Sequence, residues 1–179
     1  MLPKHFFLKP ISNKMKKTLV IILVFLIHFS VLAQEQNILK ILNKELKNEL
    51  TNQFQSDNFN GDTLVFVQEF KIDKNKILSF QIKKTSANFS GYQLIKQEVP
   101  LQAILKLGID IQLFFETDYD AVSTHYSYSD KEIPEEKTTG RIFLLYSTNQ
   151  KQTEKIGLDL QKSFTKAGYS IDKEVWYEK

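Results

Sequence analysis

The stretch Arg141–Gly168, RIFLLYSTNQKQTEKIGLDLQKSFTKAG, decides the fold. Ile142 to Tyr146 reads as a short apolar strand that runs through a polar turn into a helix. Ile156, Leu160, Phe164 and Ala167 follow at four- and three-residue steps, which places them on one narrow stripe, while Lys155, Asp159, Lys162 and Lys166 fall outside it. Asn149 is placed to accept a hydrogen bond from the free amides of the first turn. Lys166 brings positive charge to the last turn, and Gly168 suits the left-handed residue that closes a helix. Gly157 weakens the helix by ~1 kcal/mol relative to alanine, and Leu158 points away from the stripe. Burial of Leu160 and Phe164 is worth ~1.5–3 kcal/mol each, so this helix requires an apolar sheet face beneath it.

The strands upstream supply that face. Leu64, Phe66, Phe70 and Ile72 alternate on one side of Thr63–Ile72, with Gln68 breaking the row. Asp73-Lys-Asn-Lys76 makes a tight polar turn, and Leu78, Phe80 and Ile82 return on one face, so the pair reads as a hairpin. Tyr92 to Val99 is a third strand, with Tyr92 and Leu94 opposite Ile95 and Val99. Pro100 cannot donate to a ladder and ends it. Leu101, Ile104, Leu105 and Gly108 suggest a turn of helix or an irregular crossover. Ile109, Ile111, Leu113 and Phe115 then alternate as one strand, and Val122, Thr124, Tyr126 and Tyr128 as another, against Ser123, His125 and Ser127. Ser129 to Gly140 reads as a charged, mobile loop around Pro134. Beyond Gly168, Ile171, Val175 and Trp176 form an apolar tail, either an edge strand or a clamp on the helix.

Upstream of the sheet, Leu39, Leu42, Leu46, Leu50 and Phe54 recur at three- and four-residue steps through Glu35–Phe54, with Ile38 and Ile41 widening the stripe. Two heptads are too few for a coiled coil, so a helix packed on its own domain is expected. The whole is an α+β domain: an antiparallel sheet of about six strands with an N-terminal helix and a C-terminal covering helix.

The first 33 residues stand apart. Met15-Lys16-Lys17 opens a basic region, Thr18 to Ile27 is an apolar run, and Val31 and Ala33 occupy the small-residue positions before a cleavage point at Gln34. This is the pattern of a secretory signal peptide, either starting at Met15 or carrying an extended n-region before it, and the apolar run is about half the ~20 residues of a membrane-spanning helix. The expected protein is therefore a single domain, residues 34–179, periplasmic or secreted and without a stable membrane anchor. Five of the 24 basic residues and none of the 21 acidic ones lie in the leader, which leaves 19 against 21, a formal charge of −2 instead of +3. A nucleic-acid partner loses its electrostatic basis. With no cysteine in the chain, disulfides, thiol catalysis, thiolate metal sites and a lipid-modified cysteine are excluded.

Catalytic constellations are sparse. His125, the one histidine after the leader, lies among serines on the polar side of its strand, and no Gly-x-Ser-x-Gly elbow accompanies it. Glu116, Asp118 and Asp120 alternate as a carboxylate group, yet the positions where an EF-hand needs glycine and a distal glutamate hold Ala121 and Ser127. No glycine-rich phosphate loop occurs. Tyr126, Tyr128, Tyr169, Trp176 and Tyr177 are candidates for an aromatic binding patch, against the alternative that most pack in the core. The expectation is an exported, non-enzymatic binding domain for a protein or small ligand, with no assigned catalytic, cofactor or metal residues. The alternative is a cation-dependent or carboxylate-based hydrolase using Glu116, Asp118 and Asp120.

The order of Val99-Pro100-Leu101 with Ile104, the strand Ile142–Tyr146 and the helix ending at Ala167 resembles the pleckstrin-homology-like family over residues 63–168. The leading helix departs from that pattern and is closer to cystatin-like folds, which fit the strong final helix less well. The resemblance implies phosphoinositide head-group binding by basic residues near the first hairpin, here Lys71, Lys74, Lys76, Lys83 and Lys84. Lysines beside a hairpin turn equally serve as a solvated, aggregation-resistant edge.

Overall fold

The structure is a computed structural model, and it describes residues 13–55, 59–109, 112–147 and 150–173, with side chains from Ala33 onward in the first helix and from Glu154 onward in the second. Two helices and nine strands follow in the order α1 (Asn13–Asn52), β1 (Thr63–Ile72), β2 (Ile77–Thr85), β3 (Gln93–Pro100), β4 (Ile104–Ile109), β5 (Leu113–Thr117), β6 (Val122–Tyr128), β7 (Glu136–Gly140), β8 (Ile142–Leu144), α2 (Gln150–Lys166) and β9 (Asp172–Lys173). The strands form two sheets instead of one of about six strands: a five-stranded sheet in the order β1-β2-β3-β6-β7, and a four-stranded sheet in the order β8-β5-β4-β9. Among the described residues all pairings are antiparallel except β4 with β9.

The hairpin β1–β2 forms as its alternation demands. Asp73 Oδ1 accepts from the N–H groups of Asn75 (2.8 Å) and Ile77 (2.9 Å), and Lys76 takes the left-handed conformation at φ 63°. Leu78, Phe80 and Ile82 are fully buried, and Ile95 and Val99 continue the same face on β3. Gln68, the break in the apolar row of β1, sits between two register shifts, and its buried Nε2 has no hydrogen-bond partner among the described residues.

Three segments differ from the sequence reading. After Pro100 a single 3-10 turn, Leu101–Ala103, leads directly into β4, so residues 104–109 are a strand and not a crossover. The apparent single strand from Ile109 to Phe115 is a hairpin, β4 against β5, whose connecting residues 110 and 111 lie outside the described residues. Alternation was misleading there because β5 is covered on both faces. Leu113, Phe114 and Phe115 are all buried, and Gly108 leaves room for the Phe114 ring across the ladder. Thirdly, the charged loop 129–140 ends in a real strand: β7 pairs with β6 from Tyr126↔Glu136 to Val122↔Gly140.

Helix α2 matches its sequence signature. Ile156, Leu160, Phe164 and Ala167 are buried, and Leu158 is exposed. Its C-terminus closes with Tyr169 N–H donating to Phe164 O (2.9 Å) and Gly168 N–H to Thr165 O (3.1 Å), with Gly168 at φ 89° and the Phe164 and Tyr169 rings in edge contact at 6.1 Å. The proposed cap Asn149 lies outside the described residues, as do Val175, Trp176 and Tyr177. The apolar tail does supply an edge strand, β9, and buries Ile171.

Among the described residues helix α1 covers Asn13–Asn52, which reaches well before Glu35 and runs unbroken through the Ala33–Gln34 junction. Its buried stripe is Ile38, Leu42 and Leu46, with Leu39, Ile41 and Leu50 at the margins. Phe54 belongs instead to a 3-10 turn after the helix and is 63% exposed, edge-on to Phe59. Phe143 of β8 touches Phe70 and Phe80 of the first sheet and Phe115 of β5, and Phe115 in turn meets Phe164 of α2. One core is thus enclosed by the two sheets and the two helices.

Candidate functional site at the tyrosine end of the first sheet

The inner face of the first sheet is not covered evenly. Along β6, Val122 and Thr124 are buried, whereas Tyr126 and Tyr128 are half-buried. Register fixes their neighbours. Tyr126 lies between Ile95 and Glu136, and Tyr128 beside Gln93, whose Nε2 donates to the Tyr128 hydroxyl at 3.0 Å. One strand further, Lys84 faces Gln93 across the ladder and is held in an ion pair with Asp62.

A third phenol comes from the second sheet. Leu113 accepts from Leu145 N–H and donates to Ser147 O, both at 3.0 Å. Tyr146 is left between them as the extra residue of a bulge, at φ 51°. A bulky residue with that φ costs about 1–3 kcal/mol of strain, and bulges commonly re-aim a side chain next to a site. Here the ring is turned edge-on to Phe80, with centroids 5.7 Å apart.

The surroundings of Tyr126 and Tyr146 hold both hydroxyls protonated. Burial raises the Tyr146 hydroxyl far above its usual range, with the neighbouring Tyr126 adding to it. Burial also raises Tyr126, helped by the Glu136 and Tyr128 charges and opposed by Lys84. Asp62 is lowered by hydrogen bonds from Lys84 and Ser86, so Lys84 arrives at this surface with its charge compensated. The result is a patch of aromatic faces with hydroxyl and amide groups, bordered by the Glu136 carboxylate.

The structure separates the five aromatics picked out from sequence. Tyr126 and Tyr128 stay together. Tyr169 lies on another side of the core, where its hydroxyl approaches Glu35 Oε1 at 3.3 Å, and burial together with that carboxylate raises it. Trp176 and Tyr177 fall outside the described residues. Tyr146 was missed, because nothing in Leu-Leu-Tyr-Ser marks a bulge; only its backbone conformation does.

The other candidates are engaged elsewhere. His125 Nε2 and Glu135 Oε2 are 3.0 Å apart on the outer face of the sheet. Glu116 is held by Arg141 Nη2 at 3.1 Å, while Asp118 and Asp120 lie in an exposed bend. Among the described residues no group of three or more histidine, aspartate or glutamate side chains is placed to hold a metal ion. Of the hairpin lysines, Lys76 is bonded to Glu35 (2.7 Å), Lys84 to Asp62, and Lys83 lies 5.6 Å over the Tyr92 ring. Among the described residues no helix is long and apolar enough to cross a membrane. No family model matches the chain, and neither a curated protein nor a solved structure does so.

Proposed function

We propose that the chain is an exported, non-enzymatic binding domain whose recognition surface is the tyrosine end of the first sheet. The observation that carries this reading is the pair Tyr126 and Tyr128, half-buried two residues apart on the inner face of β6, with Tyr146 held at φ 51° near Tyr126. Aromatic side chains with a polar tip combine a large contact area with hydrogen bonding, which suits them to recognition surfaces. The carboxylate-based hydrolase is the weaker reading, since Glu116 is engaged by Arg141 at 3.1 Å while Asp118 and Asp120 lie apart from it in an exposed bend. Phosphoinositide binding gains no support either, with three of the five lysines already engaged.

Export rests on the leader pattern and predicts processing between Ala33 and Gln34, read by N-terminal sequencing of protein recovered outside the cytoplasm; an intact N-terminus there would remove it. Binding is tested by labelling the seven tyrosines with 3-fluorotyrosine and recording fluorine NMR spectra against panels of peptides and oligosaccharides. Responses confined to Tyr126, Tyr128 and Tyr146 support the site. Responses centred on Tyr169, or none at all, overturn it.

A further inference from the structure

The first sheet ends in two edges, and they are finished differently. On β1, Asn43 of α1 exchanges two hydrogen bonds with the backbone of Phe70 (2.7 and 3.0 Å), and Gln53 does the same with Leu64 (2.7 and 3.0 Å). Two side-chain amides thus replace a neighbouring strand. In the second sheet, Gln97 Oε1 accepts from Leu144 N–H on the edge strand β8 at 3.0 Å, and Gln161 Nε2 donates to Ile171 O just before β9 at 3.0 Å. The outer side of β7 has no such cap among the described residues, and Glu136, Lys137 and Thr139 are exposed.

That open edge adjoins the tyrosine surface. Glu136 is the ladder neighbour of Tyr126, on the inner face. Lys137, the ladder neighbour of His125, faces outward. An extended chain laid along β7 would take main-chain hydrogen bonds from the free edge and would set alternate side chains towards the phenols. We propose that β7 and the tyrosines are one strand-addition site for an extended segment of a partner protein. This deepens the binding reading above and rests on it. The recognition chemistry follows from position. Neither Glu136 nor Lys137 has an ion-pair partner among the described residues. Directly opposite residues share a face, so the segment places a basic residue beside Glu136 and, next in sequence, an acidic residue beside Lys137. Like charges at those positions are rejected.

The test is a random dodecapeptide phage library selected on the full chain, and in parallel on a double variant that exchanges the charges, Glu136→Lys with Lys137→Glu. Both positions are exposed, so the exchange leaves the fold and the net charge intact. The expected result is enrichment of extended peptides with adjacent basic and acidic residues, in an order that reverses on the exchanged variant. Tyr128→Ala weakens the selected peptides at least tenfold. Lys137→Pro and Thr139→Pro, each of which removes an outward N–H of the edge while the β6 ladder uses Glu136, Thr138 and Gly140, abolish their binding. Selected peptides without a charge order, an order that ignores the exchange, or no enrichment would each overturn strand addition, leaving the two charges as simple guards against aggregation. Oligosaccharides that move the Tyr126 and Tyr128 fluorine signals equally well in the proline variants would also overturn it, while the binding surface itself would stand.

Discussion

Strands β1 and β7 close the same sheet on opposite sides, and their compositions explain how each is finished. β1 is ten residues long and apolar on both faces: Phe66 and Phe70 point inward, while Val65 and Val67 are about half exposed on the other side. A long apolar edge is a template for self-association. Helix α1 removes that hazard by lying along it, anchored at Lys76 through Glu35, at Phe70 through Asn43 and at Leu64 through Gln53. β7 is five residues, Glu-Lys-Thr-Thr-Gly, and can be left open because a short charged edge resists pairing with itself. A sheet therefore needs a covering element only where its edge is greasy, and an uncovered edge is where a partner can add.

The broadest way to disturb both ends at once is alkali. Tyr126 lies on β6 beside β7, Tyr146 packs on Phe80 of β2 and Tyr169 lies at the α1 end, and all three hydroxyls are raised above tyrosine's ordinary value of 10.0. The folded state holds its protons to higher pH than the unfolded chain, so this stabilisation is complete below pH 10 and is lost as pH climbs through the raised values. Denaturant midpoints should fall continuously above pH 10, and Tyr169→Phe should remove only the share belonging to the α1 end. A pH-independent midpoint up to the alkaline limit would contradict the burial assigned to these phenols.

The helix–edge contact is next. Leu46 is fully buried in the stripe of α1, and Leu46→Ala should cost about 2–5 kcal/mol in urea titrations. A loss under 1 kcal/mol would mean that α1 is not part of the core. Asn43→Ala leaves the N–H and C=O of Phe70 without their partners, at a cost of about 1–3 kcal/mol. It should also raise the tendency to associate, read by light scattering. If Asn43→Ala proves neutral and monodisperse, the amides do not guard the edge. The smallest effect belongs to β7: Lys137→Thr should stay within about 0.5 kcal/mol of the parent, as for an exposed side chain on an open strand. A cost as large as that of Asn43→Ala would show that β7 is covered after all.

The sequence was legible where structure is local. The stripe of α2, its glycine stop and the β1–β2 hairpin were written in periods of 3.6 and 2, and Phe164, Leu160, Phe80 and Leu78 are buried as those periods require. Glu136–Gly140 carries no apolar signal, so its strand exists only because β6 offers a ladder. Leu113-Phe114-Phe115 lost its alternation because covering on both faces erases the contrast between inside and outside. Phe54 fits the helical stripe in sequence, but α1 gives way to a 3-10 turn before reaching it.

The candidate site was half visible. Tyr126 and Tyr128 are two residues apart on one strand face and could be paired from sequence alone. Tyr146 comes near Tyr126 from the segment after β8, and Lys84 and Gln93 reach the tyrosines of β6 through strand register. The amino-acid sequence by itself determined the α+β class, the covering helix and the residues that pack it, since hydrophobic periodicity is a property of the chain. Which edges are capped, which is open, and which tyrosines meet were decided by tertiary structure, because each depends on groups brought together from distant positions in the chain.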